Sequence, residues 1–179
     1  SLSPSSSPSS SPPILLRGGA EAAGSLSYPL DPEGTLAGAS SAAAAFRLAY
    51  QHTGLTASDI DYFGIYDCFP ICFLRGVEAA GLAEKGEGGK WIEEKYSLLM
   101  KNSTLPPNLF PVNTHGGLLS FGAPWEAPAL FSVVEACEQL SATATQGGRQ
   151  VSNCTRAAVY GNGGVFTASA VAILETAQR

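Results

Sequence analysis

Between Ala127 and Leu140 the apolar residues Ala127, Leu130, Phe131, Val134, Cys137 and Leu140 recur every three or four positions, which predicts a helix with that face buried. A second helix is predicted over SAAAAFRLAY, with Ser40 or Ser41 as its cap and Gly54 just past its end. Thr56-Ala57-Ser58-Asp59 then reads as a turn of capping-box type, and Ile60 to Tyr66 as an apolar, aromatic strand. Pro70 suits the first turn of a helix that runs to about Ala80 and stops at Gly81. GLAEKGEGG is a loop, Trp91–Met100 an amphipathic helix, and 102–112 extended or looped, because Pro106, Pro107 and Pro111 forbid a helix. A Gly-rich loop from Asn113 leads into the periodic helix, and Gly147-Gly148 closes that region. Arg156–Tyr160 and Val165–Leu174 read as two strands around a tight Gly161-Asn162-Gly163-Gly164 turn. Ile14-Leu15-Leu16 reads as a short strand broken by Gly18-Gly19, and 25–38 as a loop. Helix, short turn and strand in that order make half of a βαβ unit, so the class is α/β.

Composition sharpens this picture at the ends. Residues 1–13 are Ser and Pro almost throughout and cannot bury a core, so they are expected to be a disordered linker ahead of one domain, 14–179. Of the 179 residues 45% are hydrophobic, enough for a core. A net charge of -5 without a basic run argues against a nucleic-acid partner. No apolar run approaches the ~18 residues of a membrane span, and no secretory signal pattern is present. The first residue is Ser1, so the chain reads as a piece of a longer protein. Cys68, Cys72, Cys137 and Cys154 form no CxxC pair and no metal-ligand spacing. They read as reduced thiols of an intracellular protein, in which the sequons at Asn102 and Asn153 carry no sugar.

Three segments could carry chemistry. Tyr66-Asp67-Cys68 lies at a strand-to-helix junction, where open α/β sheets bind ligands and helix ends present free N–H groups. Taken alone, Asp67 could equally be only a helix cap and Tyr66 only core. Asn113-Thr114-His115-Gly116-Gly117 places a histidine in a loop whose paired glycines admit a ligand or another backbone. The other histidine, His52, falls near a helix end and reads as a surface residue. In Tyr160-Gly161-Asn162-Gly163-Gly164 the backbone N–H groups could face an oxyanion, or the segment could be a plain wide turn.

Together, strand-YDCF-helix, GEGG, NTHGG-LLS-x-GAP before a helix, and YGNGG between strands resemble the C-terminal domain of the thiolase superfamily over about residues 14–175. The resemblance is to the subgroup of sterol carrier protein thiolases, lipid-transfer proteins and thiolase-like aldolases. It implies the C-terminal half of a thiolase fold, with a mixed five-stranded sheet and helices on both faces. It also implies that the nucleophilic cysteine belongs to an N-terminal half outside this chain. The family's Asn or His position falls on Tyr66, its Gly-His-Pro has become Gly122-Ala123-Pro124, and its second cysteine falls on or next to Tyr160.

A methyl group at Ala123 can neither make a carbanion nor carry an acyl group, so Claisen condensation is in doubt. The aldolases of this group cleave β-hydroxyacyl thioesters by a retro-aldol step in lipid or sterol side-chain metabolism. By that resemblance Tyr66, His115 and Tyr160 are the expected catalytic residues. Asp67, Cys68, Asn113, Gly116, Gly117, Gly163 and Gly164 are the expected substrate-binding ones. The alternatives are an acyltransferase completed by the N-terminal half, and a non-catalytic subunit or acyl binder. No metal or cofactor is implied beyond CoA as part of an acyl-CoA substrate. Expected partners are the N-terminal half and a second subunit, as homodimer or heteromer. The compartment is expected to be cytoplasmic or peroxisomal, although the chain does not end in a peroxisomal address.

Overall fold

The computed structural model of the chain describes residues 12–24, 41–102, 107–124, 127–164 and 167–177. The predicted linker up to residue 11, the 25–38 loop, the Ser40 cap, Pro106 and the Val165 strand start lie outside them. In chain order the elements are β1 (Ile14–Ala23), α1 (Ser41–Thr53), β2 (Tyr62–Ile65), α2 (Pro70–Ala79), α3 (Gly88–Asn102), α4 (Gly117–Phe121), α5 (Pro128–Leu140), β3 (Arg156–Gly163) and β4 (Ala168–Thr176). The strands form one mixed sheet in the order β1-β4-β3-β2. β1 and β3 run antiparallel to β4, and β2 runs parallel to β3.

The sheet is four-stranded among the described residues, not five-stranded. The missing strand is reduced to one parallel bridge between Val112 and Phe63. Phe63 donates its N–H to the Pro111 carbonyl and accepts from the Asn113 N–H, at 2.8 and 3.0 Å. Asn113 then turns away with φ 47°. Its side chain takes over the pairing: Oδ1 accepts from the Ile65 N–H at 2.8 Å and Nδ2 donates to the Ile65 carbonyl at 2.7 Å. One amide thus satisfies the edge of β2 without a further strand.

Helices cover both faces, as expected. On one face Phe63, Ile65, Ala158, Tyr160, Val171 and Ile173 pack against Ala42, Ala45, Phe46 and Ala49 of α1. On the other, Tyr62, Ala157 and Val159 meet Ala136 and Leu140 of α5. All four residues of β2 are buried, which a parallel strand sandwiched between helices requires. Burying Phe46 completely contributes roughly 2–3 kcal/mol.

Other boundaries moved for identifiable reasons. β1 does not break at Gly18-Gly19 but continues to Ala23 through a bulge between Leu16 and Gly18. A Cβ at Gly19 would lie 2.4 Å from the Val171 carbonyl oxygen, so the glycine permits close strand contact instead of ending the strand. β3 likewise runs through Gly161-Asn162-Gly163, paired with Ala170, Ser169 and Ala168. The predicted hairpin exists, but its connection lies beyond Gly163. α3 starts at Gly88, earlier than Trp91. Residues 117–121, read as loop, form α4.

The largest correction concerns α5. Leu130 and Val134 are 62% and 56% exposed, and Phe131 is exposed as well. Of the predicted buried stripe, Leu140 alone is fully buried. The sheet side of the helix carries Ser132, Glu135, Ala136 and Gln139 instead. No helix among the described residues is long and apolar enough to cross a membrane.

Candidate functional site

The turn after β2 and the turn before α4 are held together by one buried carboxylate. Asp67 is 3% exposed and accepts hydrogen bonds from the backbone N–H groups of Leu118, at 2.8 Å, and Leu119, at 3.5 Å. Asp67 is therefore a cap, but of α4 across the fold and not of the adjacent α2. A negative group suits the free N–H groups at a helix start. Gly117 makes room for it: φ is +67°, and a Cβ there would sit 2.1 Å from Asp67 Oδ2. The second glycine of the pair is thus spent on a carboxylate of the same chain. Gly116 precedes α4 with φ 105°. Asn113, with both amide groups on Ile65, is committed to the same scaffold.

Thr114 ties this loop to α5. Its hydroxyl donates to Glu135 Oε1 at 2.6 Å and accepts from Gln139 Nε2 at 3.0 Å. Arg149 Nε bonds both Glu135 oxygens, at 3.1 and 2.9 Å, and its Nη2 contacts Glu138. Gln139 Oε1 accepts the Val151 N–H at 2.7 Å. Burial alone would raise the Glu135 pKa, but the bonds from Thr114, Gln139 and Arg149 outweigh it and hold the carboxyl below its usual range. The polar face of α5 is inward because this network satisfies it. Sequence reasoning missed Glu135, Gln139 and Arg149; the polar i, i+4 pair on α5 was the available signal.

His115 lies between these two clusters. Burial lowers its pKa, opposed by Glu135, by a hydrogen bond to the Asn113 backbone and by Asp67. Its imidazole is neutral at pH 7 and able to accept a proton.

A cavity of about 610 Å³ opens where β3 ends, β4 begins and α5 starts, at the carboxyl ends of β2 and β3. Tyr66 and Gly163 line it, with Glu21, Ala129, Asn162 and Ser169. His115 and Tyr160 are not on its wall. Burial raises the Tyr66 pKa, assisted by the Cys68 and Cys72 thiols and Asp67, so its phenol stays protonated. Gly164, next to Gly163, has φ +60° and folds back on Thr167.

Tyr160 is 1% exposed, with its ring 5.6 Å from that of Phe46 and its hydroxyl 3.5 Å from Ser169 Oγ. Ser169 Oγ in turn lies 2.8 Å from Ser41 Oγ. Burial pushes the Tyr160 pKa up to about 12, against the Ser169 contact. Cys68 Sγ lies 3.3 Å from Cys72 Sγ. Ala123, in the Gly122-Ala123-Pro124 triplet, is exposed after α4. The three expected catalytic residues do not share one wall: Tyr66 lines the cavity, and His115 and Tyr160 do not. Tyr66 and His115 both sense Asp67, while Tyr66 and Tyr160 both sense the two thiols.

Known proteins agree with this architecture. Bovine sterol carrier protein 2 is 37% identical over 107 residues, which are 60% of this chain and 18% of that protein. An acetyl-CoA acetyltransferase of Methanothermobacter thermautotrophicus is 30% identical over 161 residues, covering 90% of this chain and 39% of its own length. Among solved structures, an Ltp2-ChsH2(DUF35) aldolase superposes with TM-score 0.71 at 23% identity, over 93% of this chain and 40% of that one. A monomeric SCP2-thiolase-like protein of Mycobacterium smegmatis gives TM-score 0.60 at 20% identity, over 93% of this chain and 29% of its own. The chain thus spans at most about two fifths of these relatives. The family described as thiolase C-terminal domain-like matches residues 20–176, and this chain belongs to it.

Proposed function

We propose that this chain is the C-terminal half of an enzyme that cleaves a carbon–carbon bond of a β-hydroxyacyl-CoA by a retro-aldol step. The observation that supports it is Tyr66, a protonated phenol on the cavity wall at the carboxyl ends of β2 and β3. A methyl, Ala123, falls where the resemblance puts the imidazole of a thiolase. In this reading a neutral base removes the β-hydroxyl proton. The bond between the α and β carbons breaks, an aldehyde or ketone leaves, and its electron pair forms the thioester enolate. A proton donor then protonates the α carbon. Tyr66, on the wall, is the donor, and His115, set back from it, accepts the proton by way of one bridging water. Tyr160 is a positioning residue, since a fully buried phenol held up to about 12 keeps its own proton.

The test uses the purified full-length protein with a β-hydroxyacyl-CoA and measures release of the carbonyl product. Tyr66→Phe and His115→Gln are each expected to lower the rate by ~100-fold or more. Unchanged turnover in Tyr66→Phe would sink the assignment. The acetyltransferase relative supports a second reading, acyl transfer through a nucleophile in the other half. Condensation of acetyl-CoA without cleavage of the hydroxyacyl substrate would select that one, and turnover of neither would select a non-catalytic acyl binder. The partner best suited to Leu130, Phe131 and Val134 is the N-terminal half of the same fold, within a homodimer or heteromer.

A further inference from the structure

Cys68 and Cys72 differ from the other two cysteines. Their sulfurs are 3.3 Å apart, Cys68 lying just before the N-cap Phe69 of α2 and Cys72 in the first turn of that helix. Cys68 is half-buried and Cys72 buried, and both are free thiols. A disulfide needs about 2.0 Å between the sulfurs, so closure takes a movement of roughly 1.3 Å shared by two side chains.

We propose that Cys68 and Cys72 form a modification site that closes to an intramolecular disulfide when a low-molecular-weight disulfide such as oxidised glutathione is the oxidant. The Cys68 thiolate, on the more accessible sulfur, attacks one glutathione sulfur and releases the other glutathione as a thiol. Cys72, deprotonated, then attacks Cys68 Sγ and expels the second glutathione. Two protein thiols are oxidised, one disulfide is reduced, and the two thiol protons pass to the two glutathiones. Burial first, and then the sulfur contact with Cys72, push the Cys68 thiol up to about 11. Reaction at neutral pH is therefore slow and speeds up about tenfold per pH unit through the neutral range.

The consequence is local. Cys68 directly follows Asp67, which holds the start of α4, and Tyr66, which lines the cavity. A disulfide to the first turn of α2 would restrain the backbone that carries both. None of this depends on the proposed reaction.

Trypsin makes the test direct. Residues 48–75 hold both cysteines between Arg47 and Arg75, while Cys137 and Cys154 fall in 102–149 and 150–156. The full-length protein is equilibrated with excess oxidised glutathione, alkylated and digested. The 48–75 peptide is expected to be lighter by two hydrogens, at least ~10-fold less alkylated than in the untreated protein, and restored by dithiothreitol. Cys72→Ser should stop at a glutathione adduct on Cys68. A lasting adduct on Cys68 beside an alkylatable Cys72 in the unmutated protein, or two fully alkylatable thiols at equilibrium, would overturn the proposal.

Discussion

Replacing Gly117 by Ala tests whether Asp67 is the clamp between the β2–α2 turn and α4. The new methyl would sit 2.1 Å from Asp67 Oδ2, at a residue with φ +67°. The left-handed conformation alone costs an L residue roughly 1–2 kcal/mol. Displacing the carboxylate also breaks the 2.8 Å bond from the Leu118 N–H, and hydrogen bonds to charged groups contribute roughly 1.5–3 kcal/mol. The sum is about 3–5 kcal/mol. Urea unfolding measures it directly, and a melting midpoint lowered by roughly 6–20 °C should accompany it. The decisive version is a double-mutant cycle with Asp67→Ala. In that background the methyl has no carboxylate to meet, so Gly117→Ala should cost only the backbone part, about 1–2 kcal/mol. The coupling is then about 2 kcal/mol. Additive costs, or a single-mutant cost below ~1 kcal/mol, would refute the clamp.

Four further outcomes are expected. Glu135→Ala leaves the Arg149 guanidinium and Gln139 without their buried partner and should cost about 3 kcal/mol or more by urea unfolding. The Glu135 carboxyl titrates lower folded than unfolded, so its contribution is present above about pH 4.5 and lost as pH falls through the folded value. Glu135→Gln should therefore flatten the acid limb of a stability–pH profile, and an unchanged limb would count against the network. His115 is also lowered by burial, so protons bind the unfolded chain first and stability should fall below about pH 6.5. His115→Gln should remove that component; an identical profile would contradict its half-buried, neutral state. Finally, the chain alone should self-associate through Leu130 and Val134, as measured by sedimentation, and Leu130→Asp with Val134→Asp should disperse it. A clean monomer of the unmodified chain would contradict this.

Much of the local order was legible in the sequence. α1, α2 and α5, the stops near Gly54 and Gly81, and the capping turn at Thr56, whose N–H donates to Asp59 Oδ2 at 2.8 Å, all fall where pattern places them. The signals involved, capping, proline, glycine and 3.6-residue periodicity, act within a few residues of one another. The motifs at Tyr66, Asn113 and Tyr160 also marked segments that do meet: Asn113 holds Ile65, next to Tyr66, and β2 pairs with β3.

What those residues do was settled only in three dimensions. Asp67 reaches a helix start 51 residues on, and Asn113 replaces a strand for a backbone 48 residues back. Gly117 faces that carboxylate and not a ligand, and Tyr160 went to the core while Tyr66 took the cavity wall. On α5 periodicity identified the apolar stripe but not which side meets the sheet. That choice depends on whether the polar side finds partners, and Thr114, Arg149 and Val151, from two other segments, supply them. Hydrophobic pattern is a property of neighbours along the chain; hydrogen-bond satisfaction is a property of neighbours in space, and only the folded chain brings those together.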